Sequence, residues 1–131
     1  MDIDNEQQEI EKEFSYSWDR IEIFYTDFIT NYPGWEWLQP IHGLIAELRK
    51  QGYDKQLRAG QGLFNFILSR SRKHGLRHGQ ACLEIHLHSK GGMLVSYFEG
   101  LETKIEIEVD RVGLTSEVDQ LLLRLLSQPI D

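Results

Sequence analysis

A glutamate and two histidines stand at alternate positions of one short stretch, Glu84, His86 and His88. Residues two positions apart on a β-strand project from the same face, so these three side chains would point to one side. Two imidazoles and a carboxylate suit zinc or iron, which makes this stretch a candidate metal site. The polar side of a half-exposed sheet carries the same residue types without a metal, and the sequence dictates no fourth ligand.

A basic group precedes this stretch and forms a second candidate site. Its members are Arg70, Arg72, Lys73, His74, Arg77 and His78. Arginine and lysine bind phosphate oxygens, and histidines beside arginines are what acid–base cleavage of RNA requires. The helix dipole also favours cations at the end of a helix without any ligand. Phosphate or nucleic-acid binding is therefore the alternative function for this chain.

Stronger catalytic motifs are absent from the sequence. The Gly60-Gln61-Gly62 stretch lacks the lysine and the further glycine of a phosphate-binding loop, and no HExxH, CxxC or G-x-S-x-G pattern occurs. Cys82 has no basic neighbour in the sequence to activate its thiol, so a structural role is expected. These absences favour a protein that is not an enzyme, and we expect no cofactor.

The chain of 131 residues, with 40% hydrophobic content, suffices for one domain with a core and is too short for two. We expect a single domain over residues 1–131, frayed at about residues 1–8. The acidic start does not resemble a secretory signal, no window approaches a membrane span, and a single cysteine fits a reducing compartment. The expectation is a soluble cytoplasmic protein with no membrane partner.

The net charge of −7 is unevenly distributed along the chain. Residues 1–48 contain 11 acidic and 2 basic residues, residues 49–78 contain 8 basic residues and one acid, and residues 79–131 contain 9 acidic and 4 basic residues. The basic segment either pairs with acidic neighbours within the fold or attracts an acidic or phosphorylated partner. Charge asymmetry alone leaves both interpretations open.

The stretch from about residue 81 to residue 110 has the pattern of three antiparallel strands. Apolar and polar residues alternate with period two in its first and last parts. Gly91, Gly92 and Gly100 supply the positive φ that two tight turns require. The sequence does not decide which face of the middle strand is buried. Such a sheet has one apolar face, which other elements must bury. The remaining segments of the chain predict helices that could pack on it.

Apolar residues at helical spacing predict these helices on both sides of the strands. The first begins near residue 9, carries an aromatic stripe and ends before Pro33. The second begins at Pro40, a residue that fits the first position of a helix. The last begins after the capping residue Thr115 and ends before Pro129.

Residues 55–73 admit two interpretations. Leu57, Phe64 and Ile67 lie at helical spacing with further apolar residues, which favours a third N-terminal helix. The competing interpretation is a strand over residues 63–69, because two glycines each weaken a helix by about 1 kcal/mol relative to alanine. Aromatic and branched side chains in this segment also favour a strand. We predict the helix.

Together these elements predict an α+β fold in one domain. A three-stranded antiparallel sheet (about residues 81–110) is packed on one face by three N-terminal helices and a C-terminal helix. The leading functional hypothesis is a small non-enzymatic protein-interaction module, for example an inhibitor or immunity-type protein or a homodimeric regulator. Its partner would be another protein or a second copy. Trp18, Tyr25, Trp35 and Trp37 are the candidate partner-binding residues, because such aromatics dominate interface energies.

Overall fold

The computed structural model describes residues 3–72, 79–100 and 102–131. The helices are α1 (Ile3–Asn31), α2 (Pro40–Lys50) and α3 (Ser116–Leu126), with short 3-10 helices at Glu36–Leu38 and Tyr53–Lys55. The strands are β1 (Arg58–Gly62), β2 (Asn65–Ser69), β3 (Cys82–Leu87), β4 (Met93–Glu99) and β5 (Glu102–Val109). The α+β class and the antiparallel sheet predicted from the sequence are confirmed. Among the described helices, none combines the length and apolar character needed to cross a bilayer.

The five strands form one antiparallel sheet in the order β1-β2-β3-β4-β5, so each strand pairs with its neighbours in the chain. The register aligns Phe66, Ile85, Val95 and Ile107 across β2 to β5. Residues aligned across neighbouring strands project to the same side, so these apolar side chains share one face. The positions next to them along each strand project to the opposite face.

All three helices contribute to a core on the apolar face. Trp18 and Tyr25 of α1 have no exposed surface, and neither does Phe66 of β2. The other helices supply Ile41, Leu44, Ile45, Leu48, Val118, Leu121, Leu122 and Leu125 to the same cluster. The sheet is therefore covered on the side where its apolar residues project, as a one-faced antiparallel sheet requires.

The structure also shows which side of β4 is buried, a choice that the sequence left open. Met93, Val95 and Tyr97 point toward the helices and are fully buried. Leu94 and Phe98, which project to the opposite face, are only half-buried. The orientation follows from the register, because Val95 pairs with apolar residues of β3 and β5 and Leu94 pairs with polar ones.

The prediction of a three-stranded sheet with three N-terminal helices is wrong. Within residues 55–73, the third predicted helix is instead the β1–β2 hairpin, preceded by one short 3-10 turn. The register pairs Gly60 with Ile67 and Gly62 with Asn65. Glycine weakens a helix, whereas the aromatic and branched residues of β2 pack well on a pleated surface. The helical spacing of the apolar residues did not outweigh these two effects.

The β1–β2 turn is tight and is held by α1. Leu63, in the turn, has a φ of 57°, a region that residues other than glycine rarely occupy, and its side chain is 85% exposed. The Tyr25 hydroxyl donates a hydrogen bond to the Phe64 carbonyl oxygen at 2.9 Å. Burial raises the pKa of the Tyr25 hydroxyl, so it stays protonated and able to donate.

Two further hydrogen bonds fix α1 to the start of β1. The Trp18 indole Nε1 donates to the Leu57 carbonyl oxygen at 2.8 Å, and the Ala59 N–H donates to the Ser17 hydroxyl oxygen at 2.9 Å. The Trp18 ring also meets the Phe66 ring edge to face, with centroids 5.5 Å apart. Because β1 is an edge strand, Ser17 gives the Ala59 N–H the acceptor that a neighbouring strand would supply.

An ion-pair network connects α1 to the basic segment. Arg49, near the end of α2, lies 3.0 Å from Asp19 and 3.1 Å from Glu22, both on α1. Its Nε also contacts the largely buried carboxylate of Asp54 at 3.2 Å. For Arg49, the structure therefore supports charge pairing within the fold over attraction of an outside partner.

Replacing Ser17 with alanine tests the link between α1 and β1. Ser17→Ala leaves the buried Ala59 N–H without its acceptor, so we expect the free energy of unfolding to fall by about 1–3 kcal/mol. Thr26→Ala, at an exposed position of the same helix, is the control and should change it by less than about 0.5 kcal/mol. Urea unfolding followed by tryptophan fluorescence measures both, and equal effects would contradict the role given to Ser17.

Candidate functional site

The face of the sheet opposite the helices is the first candidate surface, and we call it the open face. The register places Ile67, Glu84, Ser96 and Glu106 in one row across β2 to β5. On β2 to β5, the open face consists of Asn65, Ile67, Ser69, Cys82, Glu84, His86, Leu94, Ser96, Phe98, Glu106 and Glu108, of which the small residues Ser69, Cys82 and Ser96 are buried. It mixes acidic, polar and apolar side chains on a surface built entirely on strands.

The described part of the chain leaves the open face uncovered. Its apolar members, Ile67, Leu94 and Phe98, are half-buried and lie outside the core cluster. Glu106 and Glu108 are exposed, and the Glu108 side chain keeps 64% of its accessible surface. A second molecule could therefore contact this face without any rearrangement of the described helices.

Hydrogen bonds order the polar residues of the open face. The Asn65 amide nitrogen donates to Glu84 at 3.1 Å, and the Asn65 amide oxygen lies 2.8 Å from His86 Nδ1. His88, the residue after β3, lies 3.0 Å from a Glu108 carboxylate oxygen. The side chains are thus held in place by one another, which preorganises the surface for binding.

The three predicted metal ligands are close together but do not converge on one point. Glu84 and His86 both contact Asn65, whereas His88 turns to Glu108. The two imidazole rings lie 5.5 Å apart, between centroids. Among the described residues, no group of three histidine, cysteine, aspartate or glutamate side chains is arranged to hold a metal ion. The geometry therefore gives the metal hypothesis no further support.

The acidic side chains of the open face have no lysine or arginine partner among the described side chains. Glu84 accepts from Asn65, Glu106 accepts from Ser96 at 3.4 Å, and Glu108 contacts His88. Among the described side chains, which do not include that of Lys104, no lysine or arginine forms an ion pair with any of the three glutamates. The surface therefore carries negative charge that the described fold does not neutralise.

A group of contacting rings, half-buried except for the exposed Tyr32, borders the open face, and we call it the aromatic cluster. It consists of Phe28, Tyr32, Trp35, Trp37 and Phe64. The rings pack with centroid separations between 4.9 and 5.8 Å. Phe64 also contacts the ring of His86 at 5.3 Å, which joins the aromatic cluster to the open face.

The four predicted partner-binding aromatics divide into two pairs. Trp18 and Tyr25 have no exposed surface because both pack on Phe66 in the core, so neither ring is accessible to a partner. Trp35 and Trp37 are half-buried members of the aromatic cluster and keep part of their surface accessible. The helical spacing of aromatic residues in α1 predicted that Trp18 and Tyr25 lie on its apolar side. It did not predict that both rings are fully buried in the core.

The basic group is only partly within the described residues. Lys73, His74, Arg77 and His78 lie outside them. Arg70 donates to the carbonyl oxygens of Gln56 and Gln128 at 2.8 and 3.0 Å, and burial lowers the pKa of its guanidinium. The two described arginines of this group, Arg70 and Arg72, already have partners within the chain.

Arg72 is surrounded by the acidic start of α1. Its Nε lies 2.7 Å from Glu13, and its other nitrogens lie 3.7 Å from Glu9 and 4.0 Å from Glu6. The hydrogen bond with Glu13 is the main reason that the pKa of Arg72 is raised. Arg72 therefore pairs with acidic neighbours within the fold, which is one of the two interpretations that the uneven charge distribution left open. Its guanidinium group is not a free ligand for phosphate.

Sequence reasoning missed the part of the open face that β2 contributes. Asn65 and Ile67 were assigned to a helix, where they would not have shared a face with Glu84 and His86. The signal that could have found them is the combination of two helix-weakening glycines, Gly60 and Gly62, with the aromatic and branched residues from Phe64 to Ile67, which favour a strand.

The environment of Cys82 matches the structural role that the sequence favoured. Cys82 is buried and pairs with Phe98 across β3 and β4. Burial, with the nearby charge of Glu84, raises the pKa of the Cys82 thiol to about 11. The thiolate is therefore scarce at neutral pH, and Cys82 is a poor nucleophile.

No family model, curated protein or solved structure matches the chain. The site residues therefore have no counterpart of known role, and their function follows from geometry and chemistry. The two surfaces that the geometry offers are the open face and the aromatic cluster, which meet where Phe64 contacts His86.

Thiol labelling checks the environment of Cys82. With a pKa of about 11, we expect the native protein at pH 8 to react with a disulfide reagent roughly 100-fold more slowly than the urea-unfolded chain. The absorbance of the released chromophore measures both rates. Native and unfolded rates within a factor of a few of each other would show that Cys82 is accessible and ionised.

Proposed function

We propose that this chain is a non-enzymatic module that binds a basic protein through the open face. One observation carries the proposal: an uncovered sheet face displays Glu84, Glu106 and Glu108 without lysine or arginine partners among the described residues. Unneutralised charge of one sign favours a partner of the opposite sign, because complementary fields speed encounter and select against like-charged proteins.

The mixture of side chains favours a protein over a small cation. Ile67, Leu94 and Phe98 supply half-buried apolar area between the acidic positions. The aromatic cluster adds Trp37 and Phe64 at one edge, and tryptophan is among the residues that contribute most to binding energy. An apolar centre with aromatic anchors and charged surroundings is the usual composition of a protein interface.

The polar residues of the open face also favour binding over catalysis. Ser96 contacts Glu106 rather than a histidine base, and the Cys82 thiol is buried. His86 and His88 contact Asn65 and Glu108, respectively. Nucleophilic catalysis needs a nucleophile within hydrogen-bond reach of a base, and these pairings do not provide one.

An inhibitor or immunity-type role is the form of this function that we favour. A folded acidic face that occupies the basic surface of another protein needs no chemistry of its own. Self-association through the open face is less favourable, because two copies would bring glutamates toward glutamates. A homodimer would therefore use another surface. The proposal includes a cytoplasmic location, which the single cysteine supports.

Nucleic-acid binding has less support than protein binding. Arg70 and Arg72 are engaged by carbonyl oxygens and by glutamates of α1. A phosphate would have to displace these partners, and the acidic open face would repel a polyanion. Detection of nucleic acid bound to the protein would therefore contradict the proposal.

A charge reversal on the open face tests the proposal. Tagged wild-type protein, Glu106→Lys and Asp27→Lys are used for affinity capture from the protein's own cells after nuclease treatment. Asp27 is an exposed acid on α1, so its variant changes the net charge equally, away from the open face. We expect a protein of basic isoelectric point that wild type and Asp27→Lys retain and that Glu106→Lys loses by about 10-fold or more.

Titration with the captured protein then measures affinity as a function of salt. The affinity should fall as ionic strength rises from about 50 to 300 mM, because surface charges are screened. If Glu106→Lys and Asp27→Lys lose the captured protein equally, or both retain it, binding through the open face is contradicted. If nucleic acid rather than protein is retained, the proposal is contradicted and nucleic-acid binding becomes the favoured function.

A further inference from the structure

A cavity of about 510 Å³ lies between α1 and the edge strand β1. Tyr16, Ile21 and Phe24 of α1 form its apolar side. The polar side is formed by residues of both elements and the segment after β2, namely Glu13, Arg20, Arg58, Gln61 and Arg72. The volume lies in the range of about 300–1,000 Å³ that is typical of small-molecule sites.

The charge of this cavity is opposite to that of the whole chain. Its lining includes three arginines and one glutamate, which leaves two positive charges in excess. Arg72 is already paired with Glu13 at 2.7 Å. Arg20 and Arg58 form no ion pair with a described acidic residue, although the chain carries a net charge of −7. Two unpaired guanidinium groups in one cavity form an electropositive site.

Arg58 is the residue most suited to hold an anion there. Its Nη1 donates to the Arg72 carbonyl oxygen at 3.2 Å, which occupies one of the five N–H groups of a guanidinium. The side chain is half-buried, and burial together with the nearby charge of Arg20 lowers the pKa of Arg58. An anion would offset both the desolvation and the repulsion between the two cations.

The neighbouring elements leave space for a ligand body. Tyr16 and Gln61, which both line the cavity, are exposed, so the cavity can be reached from solvent. Arg20 lies 5.9 Å from the centroid of the Tyr16 ring, so its charged head sits beside the apolar side of the cavity. An oxyanion held by the arginines would therefore place an attached apolar group against α1.

We propose that this cavity binds a small organic anion, a carboxylate or phosphate monoester attached to a ring-sized apolar body. Arg58 and Arg20 bind the oxyanion through charge-assisted hydrogen bonds. Phe24 and Ile21 contact the apolar body. The inference does not rest on the binding of a protein by the open face, because the two sites share no residue.

Binding of simple probes tests this proposal on the full chain. Phenyl phosphate, benzoate, inorganic phosphate and neutral benzyl alcohol are each titrated into ¹⁵N-labelled protein at about 0.15 M salt, near the ionic strength of cells. We expect phenyl phosphate or benzoate to shift the amide signals of Ala59, Gly60 and Gln61 with saturation. Whichever binds more tightly identifies the anionic group, and benzyl alcohol should bind at least about 10-fold more weakly.

Three arginine variants make the test specific. Arg58→Gln and Arg20→Gln should each weaken the preferred probe by roughly 10-fold or more, since each removes charge-assisted hydrogen bonds. Arg111→Gln, an exposed arginine remote from the cavity, makes the same charge change and should leave the affinity unchanged. Arg20 is exposed and forms no hydrogen bond with the described residues, so its variant stays informative if Arg58→Gln unfolds.

Several results would overturn the proposal. One is the absence of saturable shifts at residues 59–61 with either organic anion up to about 10 mM, a concentration above typical site affinities. A second is equal binding of benzyl alcohol, which would show that the arginines play no part. A third is unchanged affinity in Arg20→Gln. A fourth is inorganic phosphate that binds as tightly as both organic probes, which would show that the apolar side of the cavity contributes nothing to the affinity.

Discussion

The packing of α1 on β2 is the interaction on which the rest of the structure depends. The rings of Trp18 and Tyr25 both pack edge to face on the ring of Phe66. Their polar atoms donate hydrogen bonds to the backbone carbonyl oxygens of Leu57, just before β1, and of Phe64, in the β1–β2 turn. A large aromatic contact of this kind buries much apolar surface and fixes one orientation. Because α2 and α3 complete the same layer, the described helices all lie on one side, and none of them covers the opposite face of the sheet.

Charge pairing within this arrangement decides which charges remain at the surface. The acids of α1 are partners for Arg49 and Arg72, and Arg70 donates to backbone carbonyl oxygens, so these three arginines of the basic segment are engaged within the fold. The acids of the strands have no such partners among the described residues, and they remain on the open face. The same pairing leaves Arg20 and Arg58 beside the α1–β1 cavity. The surface potential thus follows from how the helices dock, not from composition alone.

Much of the fold followed from periodicity, and the rest depended on tertiary contacts. The first and last strands after residue 81, the helix from Pro40 and the last helix each carried a clear periodic pattern with end signals, whereas the middle strand left its buried face undecided. The hairpin of β1 and β2 did not, because Leu57, Phe64 and Ile67 fit a helical spacing, and its turn places Leu63 at positive φ without a glycine. That turn is stabilised by the bond from Tyr25, a contact between distant residues that local sequence does not reveal. For the same reason, the open-face residues of β3 to β5 were placed on strands, whereas Asn65 and Ile67 were missed.

The accessibility of the open face is the premise that a single measurement can test most directly. Methyl-labelled protein is mixed with a soluble gadolinium chelate, and the relaxation of each methyl signal is followed by NMR over a range of protein concentrations. We expect Ile67 and Leu94 to relax much faster than Ile85 and Val95, which are buried against the helices on the other face. Equal protection of all four residues would show that another part of the chain or a second copy covers the open face, and binding of a basic protein there would be contradicted.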